Sequence, residues 1–87
     1  MQYRRYGLLE QYLLLKIVGN RHFTRYRVRI ELRKRNISLS ISEFYRLINC
    51  AILKGYVKMD EYFTCAITDK GMKRMMELER FIKECLL

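Results

Sequence analysis

The chain has 87 residues, 51% of them hydrophobic, and a net charge of +9, which suits one small folded domain. It contains no proline and no run of about 18 apolar residues, which excludes a proline-rich linker and a membrane-spanning helix. All of the surplus charge lies in residues 1–54, which hold twelve Lys or Arg and three acids, because residues 55–87 hold six of each kind. A localised surplus attracts a polyanion, so the charge predicts a nucleic-acid partner.

Residues 4–18 are predicted to form the first helix, which Gly19 and Asn20 end. Its apolar residues make a wide stripe, which consists of Leu8, Leu9, Tyr12, Leu13, Leu14, Leu15, Ile17 and Val18. A helix that is apolar on most sides is buried on most sides. In so small a chain, this pattern points to a partner subunit that covers part of the helix.

Residues 24–36 carry two conflicting signals. Apolar and charged residues alternate from Arg25 to Leu32, which is typical of a strand. Thr24, however, is a favourable N-cap, and Val28 and Leu32 lie four residues apart, on one face of a helix. We predict a second helix over residues 24–36.

Residues 37–40 form a short run that favours an extended conformation. Ser40 and Glu43 then have the spacing of a capping box, which predicts a third helix over residues 41–54 with Gly55 as its stop. An apolar stripe follows the helical period along this segment, and it consists of Phe44, Leu47, Ile48, Ala51 and Ile52.

Residues 56–68 contain two short extended runs on either side of Asp60 and Glu61, and they are predicted to form a hairpin. Residues 69–86 are predicted to form a last helix with more apolar positions than one core-facing stripe needs. We expect this helix to contribute both to the core and to a dimer interface. The predicted fold class is therefore α+β and mostly helical.

Three segments carry a family resemblance. The segments "TRYRVRIEL", "SEFYRLINCAILKGYV" and "AITDKG" resemble, in order and spacing, the second helix, third helix and post-wing helix start of winged helix-turn-helix proteins. The chain is most similar to PadR-like and MarR-like transcriptional regulators, over Thr24 to about Met76. Many small members are stand-alone proteins of archaea and archaeal viruses.

The resemblance implies a single winged-helix domain over residues 1–87, with a three-helix core, a short β-hairpin wing and a C-terminal dimerisation helix. It also implies a homodimer, held through the first and last helices, that binds double-stranded DNA with the third helix in the major groove. The hairpin departs from the family, since its tip is acidic and Cys65 replaces an aromatic residue. Lys58 and Tyr62 are therefore the residues through which we expect the wing to contact DNA.

The residues that we expect to contact bases lie on the outer side of the third helix: Ser42, Tyr45, Arg46 and Asn49. Arg46 can bond guanine and Asn49 can bond adenine, each in bidentate fashion. Tyr45 can pack on a thymine methyl or reach a phosphate, and Ser42 lies in the first turn, where hydroxyls hold phosphate. The alternative is that these residues form an ordinary solvated helix face.

The second helix crosses the DNA backbone in this geometry, so its arginines are candidates for phosphate contacts. We predict that Arg21, Arg25, Arg27 and Lys58 take this role. Three further cations, Arg33, Lys34 and Arg35, lie at the end of the second helix, where they favour its dipole instead.

We predict no metal or cofactor site, because one histidine and three scattered cysteines give no ligand set. We predict no catalytic site, because the sequence offers no nucleophile–base set, Gly-rich phosphate loop or paired carboxylates, and no small-molecule ligand, because one C-terminal helix leaves no room for a separate ligand domain. The cysteines are either small buried thiols or, for Cys85, a disulfide between two subunits. The N-terminus lacks a signal peptide's apolar core, so we expect a cytoplasmic location, which is the host cytoplasm for a viral protein.

The predicted function is sequence-specific regulation of transcription, as a homodimeric repressor. Two alternatives stay open: a nonspecific architectural protein that binds DNA or RNA, and a winged-helix module that binds proteins.

Overall fold

The computed structural model describes the backbone of residues 2–86 and the side chains of residues 7–85. Its elements are, in chain order, α1 (Gln2–Asn20), α2 (Arg25–Lys34), α3 (Ile41–Leu53), β1 (Val57–Met59), β2 (Cys65–Ile67) and α4 (Asp69–Leu86). The two strands pair antiparallel, with Lys58 opposite Ala66. The fold is therefore α+β and mostly helical, with one small sheet.

Helix α1 runs through the centre of the molecule. It packs against α2, α3, α4 and β2, and its residues Leu14, Leu15, Ile17 and Val18 are almost completely buried. The apolar run that the sequence shows here is thus covered by the chain's own elements, as a central helix requires. It gives no support for a partner subunit on this part of α1.

Helix α2 begins after Thr24, whose hydroxyl accepts a hydrogen bond from the backbone N–H of Arg27 at 3.3 Å. Val28 and Leu32 point into the core. The helix is shorter than the predicted 24–36, because Asn36 adopts a left-handed conformation with φ of 65°. Asparagine tolerates this conformation better than most residues do.

The predicted extended run at residues 37–40 pairs with no strand of the described chain. Its backbone is used otherwise: Ile37 N–H bonds to the Leu32 carbonyl, and Ser40 caps α3. The backbone that pairs with the hairpin lies instead just before α2. Thr24 forms an isolated antiparallel β-bridge with Thr64, the residue before β2.

Helix α3 begins with the full capping box. The Ser40 hydroxyl accepts from Glu43 N–H at 3.1 Å, and Glu43 Oε1 accepts from Ser40 N–H at 2.9 Å. Gly55 ends the helical segment with φ of 79°, a conformation that few residues other than glycine adopt readily. The chain then turns directly into β1.

The turn of the hairpin is organised by Asp60. Its Oδ1 accepts hydrogen bonds from the N–H groups of Tyr62 and Thr64, both at 2.9 Å. Phe63 takes a left-handed conformation, with φ of 63°, to complete the turn. The acidic residue at the tip thus shapes the backbone, as aspartate does in many turns.

Helix α4 is attached to α1 by polar bonds at the edge of the core. Tyr12 donates to Glu79 Oε2 at 2.7 Å, and Arg74 Nε donates to Gln11 Oε1 at 2.9 Å. The Tyr12 hydrogen bond, followed by that of Lys16, lowers the pKa of Glu79. No helix within residues 2–86 combines the length and apolarity needed to cross a membrane.

Candidate nucleic-acid interface

Helix α3 presents one exposed polar face. Phe44, Ile48 and Ala51 are buried on its inner side. The four predicted base-contacting residues are all exposed on its outer side: Ser42, Tyr45, Arg46 and Asn49, here called the α3 face. Their spacing of three and four residues brings them onto one strip about two turns long.

Arg46 is the cation of this face. Its guanidinium has no hydrogen bond or ion pair with any side chain within residues 7–85, so its donors are available. Glu43, one turn before it, is engaged in the capping box instead. The bond from the Ser40 backbone lowers the pKa of Glu43, so this carboxylate stays ionised and committed to the cap.

Arg25 has a second role that its sequence context does not show. Its Cζ atom lies 4.5 Å from the ring centroids of both Tyr45 and Phe63. Its backbone N–H also donates to the Phe63 carbonyl at 2.8 Å. Arg25 therefore joins α2, α3 and the hairpin turn, while stacking leaves the edge of the guanidinium free to donate.

The other predicted phosphate-contacting residues are exposed in three different settings. Arg27 lies on α2 with its Nε 3.8 Å from the Glu31 carboxylate. Arg21 lies in the loop before α2, near the face of the Phe23 ring. Lys58 lies on β1. The structure does not draw them into one cluster with the α3 face.

Glu31 forms ion pairs with the cations at the end of α2. Its carboxylate lies 3.1 Å from both Lys34 Nζ and Arg35 Nη1. The hydrogen bonds from Lys34 and Arg35 lower the pKa of Glu31. Part of the charge of this segment is thus neutralised within the protein.

Arg29 was not singled out from the sequence, yet it fixes the loop before α3. Its Nη2 donates to the Leu39 carbonyl at 3.1 Å. Its Nε is buried and has no hydrogen-bond partner among the described atoms. Buried donors of this kind are usually satisfied by protein groups or by ordered water.

An open groove of about 320 Å³ lies between the N-termini of α2 and α3 and the hairpin turn. We call it the aromatic groove, because its wall includes Arg25, Tyr26, Arg29, Tyr45, Tyr62 and Phe63. A local sequence pattern accompanies this groove. Aromatic residues stand next to one another or to arginine at positions 25–26 and 62–63.

The three cysteines are free thiols and are not paired. Cys65 is buried, and this burial raises the pKa of its thiol, which makes it unreactive. Cys50 and Cys85 are exposed, on α3 and α4 respectively. Among the described residues, no group of three His, Cys, Asp or Glu is placed to hold a metal ion.

A solved structure with a similar fold is that of smu.1704 from Streptococcus mutans UA159. The two structures superpose with a TM-score of 0.73, over 88% of this chain and 78% of that one, at 23% sequence identity. At this identity the likeness concerns the fold alone. No protein-family model matches the chain, and no curated protein matches it in sequence.

Proposed function

We propose that this protein is a winged helix-turn-helix regulator that binds specific sites on double-stranded DNA as a homodimer. The order of three helices, an antiparallel hairpin and a last helix supports the proposal. In this arrangement α3 is the recognition helix and the hairpin is the wing. Occupation of a promoter by such a dimer represses transcription by excluding the polymerase.

The observation that carries the proposal is the α3 face. An exposed helix with an unpaired arginine and an asparagine on one strip has the donors that read guanine and adenine in the major groove. The segment that contains it, residues 1–54, also holds the whole surplus of positive charge. Charge attracts the duplex, and the α3 face reads its sequence.

The wing adds little repulsion despite its acidic tip. The Asp60 carboxylate is turned to two backbone N–H groups, which disperse part of its charge. Lys58 remains exposed on β1 as a partner for a phosphate. Glu61 is the one tip carboxylate that is exposed and has no described hydrogen bond.

The dimer is proposed to form through α4 with help from α1. Exposed apolar residues remain on both helices, namely Leu9, Met72, Met76 and Phe81. Cys85 is exposed near the end of α4, which allows a disulfide between two subunits in an oxidising setting. Met72 and Met76 lie one turn apart on α4, so their exposed side chains share one face, whereas Phe81 lies on another side of the helix. We take the face with Met72 and Met76 as the interaction surface.

Selection from a random duplex library at about 0.15 M salt, where nonspecific binding is weak, tests the proposal. The expected result is an enriched inverted repeat with half-sites about one helical turn apart. Retention of DNA without an enriched motif favours the architectural alternative. No retention contradicts DNA binding altogether.

Arg46→Ala should weaken binding to the selected site by about 1–3 kcal/mol and relax the preference at one base position. Arg80→Ala is the matched control, because it removes the same charge from an exposed position on α4. Titration of each variant against the site and against a scrambled duplex gives both quantities. Equal losses for the two variants would show that charge alone, and not the α3 face, accounts for binding.

A further inference from the structure

The aromatic groove has a feature that duplex recognition does not use. Tyr26 and Tyr62 are each 74% exposed, and Phe63 is 49% exposed. Bases within a duplex are already stacked on their neighbours, so they have no free face to offer to these rings. An unpaired base does have one.

The cations of the groove are arranged for a phosphate. Arg25 is held by its two ring contacts, and its guanidinium donates no hydrogen bond to any described residue, so its planar edge can meet a phosphate oxygen. Arg29 lies in the same wall, with its Nε unpartnered. The positive charge of Arg29 adds to that of Arg25 on the groove wall.

Aromatic rings beside a cationic groove are the means by which proteins hold single strands. Each base stacks on a ring with little regard to its identity, and the backbone follows the cations. The groove combines both features within about 320 Å³, a volume suited to one or two nucleotides. A purely apolar ligand would leave the arginines without acceptors.

We propose that the aromatic groove binds an unpaired nucleotide of single-stranded DNA, with the base on Tyr26 or Tyr62 and the phosphate on Arg25 and Arg29. The proposal that an unpaired nucleotide binds here is argued from the residues of the groove alone. The choice of DNA over RNA rests on the proposed function, because the groove shares Tyr45 with the α3 face. A strand that leaves a duplex on α3 then continues into the groove.

Fluorescence anisotropy with a labelled oligothymidylate of about 8 nucleotides tests the proposal. Tyr62→Ala and Tyr26→Ala should each weaken binding about 10-fold, whereas Tyr62→Phe should retain it, because a ring is kept. Both tyrosines are largely exposed, so the variants are expected to fold, and circular dichroism checks this. Arg80→Ala, which removes a charge from α4 outside the groove, should leave single-strand binding nearly unchanged.

Absence of binding by the wild type, or equal binding by wild type and Tyr62→Ala, overturns the proposal. Tighter binding to an oligouridylate of the same length overturns the choice of DNA. Titration of the selected duplex in parallel tests the proposed function separately from the single-strand site. If both proposals hold, Tyr62→Ala binds the duplex normally and binds the single strand more weakly.

Discussion

Gly71 has the least room for a side chain among the four glycines. It is buried in the first turn of α4, where a β-carbon would overlap the Tyr56 carbonyl oxygen and lie 2.9 Å from Ile67 Cγ1. The Tyr56 carbonyl belongs to the backbone and cannot move aside as the end of a flexible side chain can. The close approach of α4 to the end of α3 therefore depends on hydrogen at this position.

Gly71→Ala should destabilise the protein by about 1–3 kcal/mol or more, because the new methyl group forces the two segments apart. Gly7→Ala is the matched control. No described atom outside its own helix lies within 4 Å of a β-carbon at Gly7, and alanine favours a helix by about 0.5–1 kcal/mol over glycine. Urea unfolding of both variants should give shifts of opposite sign, and equal shifts would contradict this account.

The arginines of α2 show how far the role of a single residue can be predicted from the sequence. Sequence alone assigns Arg25, Arg27 and Arg29 the same character, that of a cation on a helix. Their roles differ because of residues distant in sequence, such as Phe63 for Arg25 and Leu39 for Arg29. Such partners become neighbours only once the fold has formed, so no local pattern could have separated the three.

At the scale of elements, the start of α3 is set by two hydrogen bonds of the capping box. Ser40→Ala should cost about 1 kcal/mol, because the N–H of Glu43 loses its acceptor. Ser38→Ala is the matched control, since Ser38 is exposed in the preceding loop and caps no helix. Thermal unfolding should show a lower Tm for the first variant only, and a loss of equal size in both would contradict the role of the cap.

The cap also makes the stability depend on pH. The pKa of Glu43 is lower in the folded chain than its ordinary value of 4.5, chiefly through the Ser40 N–H. When the pKa of a carboxyl group is lower in the folded state than in the unfolded state, its ionised form stabilises the fold at pH values above the unfolded pKa. This contribution to stability is lost as the pH falls through the folded pKa. We therefore expect the wild type to lose stability below about pH 4.5 and Glu43→Gln to lose less of it over the same range.

The elements that the sequence predicted best are those with a strong apolar period. The stripe from Phe44 to Ile52 and the Ser40 cap placed α3 within one residue of its observed bounds. Residues 37–40 carry only a weak preference for an extended conformation. Their backbone forms hydrogen bonds with the end of α2 and the start of α3 and does not pair with a strand. The bridge between Thr24 and Thr64 joins residues forty apart, which a local pattern cannot predict.

For the molecule as a whole, the exposed apolar residues of α4 predict a dimer. Sedimentation equilibrium should give about twice the chain mass of 10.7 kDa, because two copies of this surface cover one another. Met76→Lys should shift the protein to a monomer, since Met76 is 59% exposed in the single chain and a lysine there is costly only in an interface.

Leu53→Lys is the control for the dimer, because Leu53 is 86% exposed, the highest value among the large apolar residues within 7–85, and lies on α3 and not on α1 or α4. This variant should remain dimeric. A monomeric wild type at every concentration, or dissociation by Leu53→Lys alone, would place the interface elsewhere. Reductant in all samples removes any contribution from Cys85.

The central position of α1 also affects how the chain is made. This helix leaves the ribosome before the elements that cover it, and α4, which packs along it, comes last. Until then Leu14, Leu15, Ile17 and Val18 have no complete cover. The nascent chain therefore exposes these four apolar side chains until α4 has been made, and such transient exposure favours aggregation over folding.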